Sequence, residues 1–320
     1  MEPVRVNLMI EGQEGVTWPQ WVALAQAAEA HGLEGLFRSD HYYSVEDRPG
    51  RGALDAWATL AALAAVTAGI RLGTMVSPVT FRHPSELAKV VATVDHVSGG
   101  RVELGLGAGW WEAEHDRYGF AFPPVSERFD VLAEQLEIVH RSWDAGPFTL
   151  TGTHYRVDAL DALPKPVQEP HPPLIMGGGA KRRSAALAAR WADEYNFVYA
   201  SVDAVSAGAG RLRAAWQEAG RDVDTLRLSL MTACVVGRDA SEFEARARLL
   251  AERRGLGDGG AAALREDLGP NALLGTVDDV VAALGPYREV GVERVMLQHL
   301  LHDDVDVVAL LGEVARRVGS

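Results

Sequence analysis

Short apolar runs alternate along this chain with longer stretches of helical periodicity. "VRVNLMI" (4–10) reads as a strand, and "WPQWVALAQAAEAHG" (18–32) predicts a helix with Thr17 as N-cap, Pro19 in the first turn and Gly32 at its end. A second strand is expected at 35–39, inside "GLEGLFRSDHYYS", followed by the helix "DAWATLAALAAVTAG" and the strand "IRLGTMVSP". The helix "HPSELAKVVATVDHVSGG" comes next, and then strand "RVELGLGAG" (101–109) with helix "SERFDVLAEQLEIVHRSW" (126–143). Four more strands are expected in "PLIMGGG" (173–179), "EYNFVYA" (194–200), "RLSLMTACVVG" (227–237) and "ERVMLQ" (293–298), with helical patterns between them.

Eight strands in regular alternation with helices demand a parallel sheet, because parallel neighbours need crossovers and helices supply them. An open doubly wound sheet would bind ligands at a switch point, but eight units fit a closed (β/α)8 TIM barrel of the α/β class better. The irregular segment 144–172, between the fourth helix and the fifth strand, reads as an excursion of the barrel. No linker divides residues 1–320, so a single domain is expected.

Composition adds exclusions. Hydrophobic residues make up 48% of the chain, enough for a sizeable core, and charged residues 23%, an ordinary globular share. Acids outnumber bases 44 to 31, and the net charge of −13 argues against a nucleic-acid partner. The densest basic cluster, Lys181, Arg182 and Arg183, suits only a small anion. Cys234 is the sole cysteine, which rules out an intrachain disulfide, and its apolar setting reads as a buried hydrophobe rather than a nucleophile. "AWATLAALAAV" (56–66) falls short of the ~20 apolar residues a membrane span takes. The first residues lack the basic and long apolar regions of a secretory leader, so a soluble, cytoplasmic protein is expected.

In a barrel of this kind the working face lies at the C-terminal ends of the strands. There strand 2 runs out of Leu36 and Phe37 into Ser39, Asp40 and His41. An imidazole at that point suits general acid or base work near neutral pH. Asp40 would orient it or hydrogen-bond a heterocycle; the plainer alternative is a capping Asp40 beside an exposed His41. Gly73, Ser77 and Pro78 break strand 3, either as a bulge beside a ligand or as an ordinary turn. Gly105, Gly107 and Gly109 strip bulk from one face of strand 4, so something flat could lie against the backbone. Trp110 and Trp111 then supply aromatic walls or core packing. Glu112, Glu114 and His115 fit no metal motif; they read as a solvated first helical turn, and no metal is expected.

Strand 5 ends in Gly177, Gly178 and Gly179 just before a helix. Bare amides and a positive helix dipole, reinforced by Lys181, Arg182 and Arg183, favour a small-phosphate site over a plain tight turn. The GK[ST] ending of a triphosphate loop is missing, and so are a nucleophile elbow and a Cys–His pair. A flat glycine surface, aromatic walls, a phosphate cradle and one imidazole suit a tricyclic redox cofactor with a phosphorylated tail.

Five stretches, "FRSDHY" (37–42), "IRLGTMVSPVTFRHP" (70–84), "SGGRVELGLGAGWWEAEH" (98–115), "FPPVSERFDVLAEQL" (122–136) and "LPKPVQEPHPPLIMGGGAKR" (163–182), carry a family likeness. In this order the chain resembles the bacterial-luciferase-like flavin and deazaflavin oxidoreductases, and most of all their coenzyme F420-dependent members. The resemblance implies a TIM barrel with the deazaflavin ring against strands 2 to 4 and the tail phosphate near strand 5. It implies that Asp40 and His41 are the family's Asp–His pair, with His41 the proton donor or acceptor that accompanies hydride transfer. It puts the family's frequent non-proline cis peptide at Met75–Val76, and these two with Ser77 beside the ring. Gly107, Ala108 and Gly109 would line the ring, and Gly177, Gly178, Gly179 and Ala180 would hold the phosphate. Sugar-phosphate dehydrogenases of the family carry an acid after the strand-4 glycines; Trp110 stands there instead. That departure turns the expected substrate toward an apolar or aromatic compound.

Three functions follow as expectations. The first is an F420-dependent oxidoreductase moving a hydride between the deazaflavin and an enone, imine or alcohol. The second is a luciferase-like monooxygenase using FMN and oxygen, and the third a non-catalytic binder of either cofactor. The deazaflavin carbon that replaces flavin N5 favours hydride transfer over oxygen activation, so the cofactor decides the reaction class. By resemblance, a homodimer is the expected assembly.

Overall fold

Eight of the apolar runs become the strands of a closed parallel barrel in the computed structural model, which describes residues 3–319. They are β1 (Arg5–Ile10), β2 (Gly35–Arg38), β3 (Arg71–Thr74), β4 (Val102–Gly107), β5 (Leu174–Gly177), β6 (Glu194–Val198), β7 (Arg227–Gly237) and β8 (Val292–Gln298). Each pairs in parallel with its neighbour, and β8 closes on β1 in the register Val6–Val295 and Leu8–Leu297. The expected (β/α)8 topology holds. Leu8, Leu36, Leu72 and Leu104 point outward and are wholly buried under helices, against side chains such as Trp21, Leu60 and Val91. Strands covered on both faces need no polar alternation, which is why they appear in the sequence as continuous apolar runs. The helix Trp18–Ala30 begins with a capping box, the Thr17 N–H donating to Gln20 Oε1 at 2.9 Å.

Two layers fill the barrel interior from its N-terminal end. In the first, Arg294 of β8 is 2% exposed and surrounded by Glu103 of β4, Glu194 of β6 and Glu34, which precedes β2. Its Nη1 donates to Glu103 at 2.9 Å and to Glu194 at 2.6 Å, and its Nε to Glu34 at 2.7 Å. Contribution from alternate strands is the layering such a barrel imposes. Burial works against the Glu103 carboxylate, but Arg294 and Arg71 outweigh it and hold its pKa below the ordinary range. The second layer, further along the strands, comprises Met9, Phe37, Met75, Ile175, Met231 and Met296.

Some elements go beyond the predicted set. The excursion contains an antiparallel hairpin, Phe148–Thr151 with Arg156–Leu160. β7 overruns the barrel, and its last residues, Cys234–Gly237, pair with an additional strand, Leu273–Thr276. Helices Ala240–Arg253 and Gly260–Leu268 cover this extension through a separate cluster that includes Phe243, Leu250, Leu264 and Leu301. Cys234, on the overrun of β7, is buried in the main core, its thiol pushed up to about 12 by burial. Among the described residues no helix is long and apolar enough to cross a membrane.

Candidate active site

His41 follows β2 where the strand leaves the core. Its Nδ1 lies 2.9 Å from Glu114 Oε1, and no other residue among those described bonds the ring, so the carboxylate fixes the tautomer with hydrogen on Nδ1. Glu114 is fully buried on the short helix Glu112–Tyr118, where its Oε2 accepts the backbone N–H groups of Tyr42 at 2.5 Å and Tyr43 at 3.2 Å. Burial opposes a charged imidazole, but the hydrogen bond and charge of Glu114, with Glu11 and Asp40 further off, prevail and raise the His41 pKa. The edge of the His41 ring meets Trp110 at 5.7 Å and Trp111 at 5.8 Å between centroids.

This arrangement corrects two expectations. Glu114 and His115 are not part of a solvated turn: both are buried, and His115 is held by Thr80 Oγ1 at 2.6 Å and the Trp111 carbonyl at 2.7 Å. Nor does Asp40 orient His41. Its carboxylate accepts two bonds from Arg82, at 2.5 and 3.2 Å, and one from Ser77 Oγ at 2.6 Å. Arg82 also donates to Asp55 at 2.8 Å and to the Tyr42 hydroxyl at 3.1 Å. Neither Glu114, expected in a solvated helical turn, nor Arg82 lies at a strand end; the cation in "TFRHP" is the one hint in the sequence of a partner for Asp40.

The glycines of β4 serve a different neighbour from the one expected. The Met75–Val76 peptide is cis, and the chain there folds against β4, with Ser77 and Pro78 pairing to Leu106 and Gly107. A Cβ on Gly105 would lie 2.1 Å from the Thr74 carbonyl and 2.8 Å from Val76 Cγ1; one on Gly107 would lie 2.7 Å from Val76 Cγ2. Bulk is absent at Gly105 and Gly107 to admit Thr74 and Val76, and Gly107 also borders the cavity. Gly109 has a left-handed φ of 76°, which turns the chain from β4 toward Trp110.

The loop after β5 also differs in part. Two of its amides are already occupied: Gly178 N–H donates to the Asn196 carbonyl at 2.9 Å and Ala180 N–H to the Tyr195 hydroxyl at 3.0 Å. The helix Arg182–Trp191 starts without a side-chain cap, so its first-turn amides and dipole remain the anion-attracting feature. A Cβ on Gly179 would meet nothing within 4 Å, which marks open space above the loop. Arg183 is drawn away to Asp130 and the Ser126 carbonyl.

A cavity of about 330 Å³ opens at the C-terminal end of the barrel. His41, Met75, Val76, Gly107, Ala108 and Gly109 line it, with Trp110, Trp111, Gly177 and Gly178. Of the remaining expected residues, Asp40, Ser77 and Ala180 are buried behind its wall, and Gly179 stands outside the lining. Asn196, Met176 and Phe129 are among the further lining residues that were not anticipated. Asn196 is wholly buried; its Nδ2 donates to Ser229 at 2.8 Å, but its Oδ1 has no partner among the described residues. An orphaned polar atom in a pocket wall is the kind of group a ligand satisfies.

The sequence profile described as luciferase-like monooxygenase matches residues 4–294. The F420-dependent hydroxymycolic acid dehydrogenase of Mycobacterium tuberculosis is 32% identical over 234 residues, 70% of this chain and 61% of that protein. Pyrimidine monooxygenase RutA of Cronobacter sakazakii is 27% identical over 274 residues, 83% of this chain and 77% of the relative. A solved F420-dependent secondary alcohol dehydrogenase, in complex with an F420–acetone adduct, shares the fold. It superposes with a TM-score of 0.82 over 99% of both chains at 20% identity.

Proposed function

This chain belongs to the luciferase-like monooxygenase family, and from that premise we propose that it is an F420-dependent oxidoreductase acting on an organic substrate. The observation that carries the reading is the carboxylate-held imidazole of His41 in a largely apolar cavity that extends toward an uncapped helix start. When bound, the deazaflavin supplies or accepts the hydride.

The chain's own residues do the rest. His41, with Nδ1 committed to Glu114, presents Nε2 as the atom that holds and passes the proton matching the hydride. Its raised pKa keeps that proton in place further toward neutral pH. Asn196 Oδ1 would offer an acceptor to a ring N–H, and the first turn of the helix Arg182–Trp191 would attract the tail phosphate. Met75 and Val76 form one wall, and Trp110 and Trp111 stand beside the His41 ring as another. Asp40, held by Arg82, braces the floor behind His41 rather than touching the reaction. The F420-dependent relative at 32% identity supports this choice of cofactor.

A second reading, an FMN-dependent monooxygenase using the same cavity, draws on the likeness to the pyrimidine monooxygenase. Fluorescence titration of the purified protein with F420 and with FMN separates the two. Tight binding of F420 is expected, and tight binding of FMN alone overturns the proposal. His41→Ala is expected to retain F420 while losing about 10²–10⁴-fold in turnover; unchanged turnover would identify a non-catalytic binder.

A further inference from the structure

A second cavity, of about 390 Å³, adjoins the first and shares His41, Met75, Trp110, Val198 and Met231 with it. It lies within the ~300–1,000 Å³ range of small-molecule pockets. Most of its wall is apolar, and its charged groups are unevenly matched. Arg254 is bound to Glu46 and to Asp267 at 2.6 Å, and Glu14 pairs with Arg51 at 3.0 Å. Glu11 has no such partner: among the described residues no Arg, Lys or His lies within ion-pair distance of it.

Two glutamine amides hold the Glu11 carboxylate instead. Gln13 Nε2 donates to Oε2 at 2.6 Å, and Gln298 Nε2 donates to Oε1. Each amide is in turn oriented by a hydroxyl on its carbonyl oxygen, Ser39 for Gln13 at 2.5 Å and Tyr199 for Gln298. That network fixes the carboxylate with neutral donors and leaves it without a direct ion pair at the cavity wall, Arg38 and His41 feeling its charge only from further off. Trp110 and Tyr199 line the same space, and aromatic faces attract organic cations that are shed of water. A carboxylate without a direct ion pair, in a mostly apolar chamber that aromatic rings also line, calls for a positively charged ligand with an apolar body.

We propose that this chamber binds an organic cation, a substituted ammonium or iminium. On the functional reading above, that ligand is the substrate, seated with its nitrogen toward Glu11 and its body toward His41.

The test uses three probes of similar size on the full chain, followed by calorimetry at neutral pH: benzyltrimethylammonium, the ketone benzylacetone and the carboxylate hydrocinnamate. The ammonium is expected to bind at least tenfold more tightly than either of the others, and Glu11→Gln to remove that preference. Equal or tighter binding of the ketone or the carboxylate to the unmodified protein overturns the proposal, whatever the fate of the variant. So does a folded Glu11→Gln protein that still prefers the ammonium. F420 and FMN binding are read separately by fluorescence. A protein that takes the ammonium but neither cofactor supports the cation site while removing the functional reading.

Discussion

Glu114 holds His41 across 73 residues of chain: a buried carboxylate on a seven-residue helix after β4 fixes an imidazole at the end of β2. The same carboxylate ties down the two amides that follow His41, at Tyr42 and Tyr43. It therefore sets the ring's tautomer, its orientation and its proton affinity together. Of these, the pH behaviour is the one a merely structural residue would not control.

Glu114→Gln removes the charge while keeping the shape. The limb of the kcat/KM–pH profile that reports His41 is expected to move to lower pH, because the partner that outweighs burial is gone. The imidazolium–carboxylate contact also contributes stability. It is fully present below the ordinary histidine value of 6.5 and lost as pH rises through the raised folded value. The variant should lose this dependence in urea midpoints measured across pH. An unmoved profile would mean that Glu114 only supports the loop.

Arg294→Met leaves Glu103 and Glu194 buried without their shared cation, a change expected to cost about 3–5 kcal/mol. In the unmodified protein Glu103 has a lowered pKa, so its stabilising part is present above the unfolded carboxylate range and disappears as pH falls through the folded value. The variant should reverse that trend, because protonation relieves the stranded carboxylates. Tm measured from neutral to mildly acidic pH distinguishes the two slopes.

Gly105→Ala places a methyl group against the Thr74 carbonyl and should destabilise by about 1–3 kcal/mol. At Gly107 the one close neighbour is Val76 Cγ2, with the next atom 4.0 Å away, so Val76→Ala should rescue much of the loss from Gly107→Ala. Gly179→Ala, facing open space, should change stability by no more than about 0.5 kcal/mol. Denaturant midpoints of the four variants and the double variant measure all three.

The barrel was legible in the sequence because its strands are buried on both faces, so each announces itself as an apolar run. The strand Leu273–Thr276 was not, since four residues, one of them a glycine, carry no pattern until the overlong β7 offers them an edge. The site followed the same division. His41, Trp110 and the glycine loop stand at strand ends, where polarity breaks a pattern. Glu114 belongs to a helix whose residues look solvated in one dimension, and its return to the segment after β2 brings it against His41, Tyr42 and Tyr43. The β4 glycines were noticed for the right property, missing bulk, yet the occupant was Val76 of the chain itself.

The charged layer around Arg294 has a consequence for how this molecule can change. Glu103, Glu194 and Arg294 tie β4, β6 and β8 together across the end of the barrel away from His41, so a change at any one of them disturbs three strands at once. The loops of the opposite rim can drift in sequence and length, altering what is admitted, while the cross-linked base keeps the scaffold unchanged.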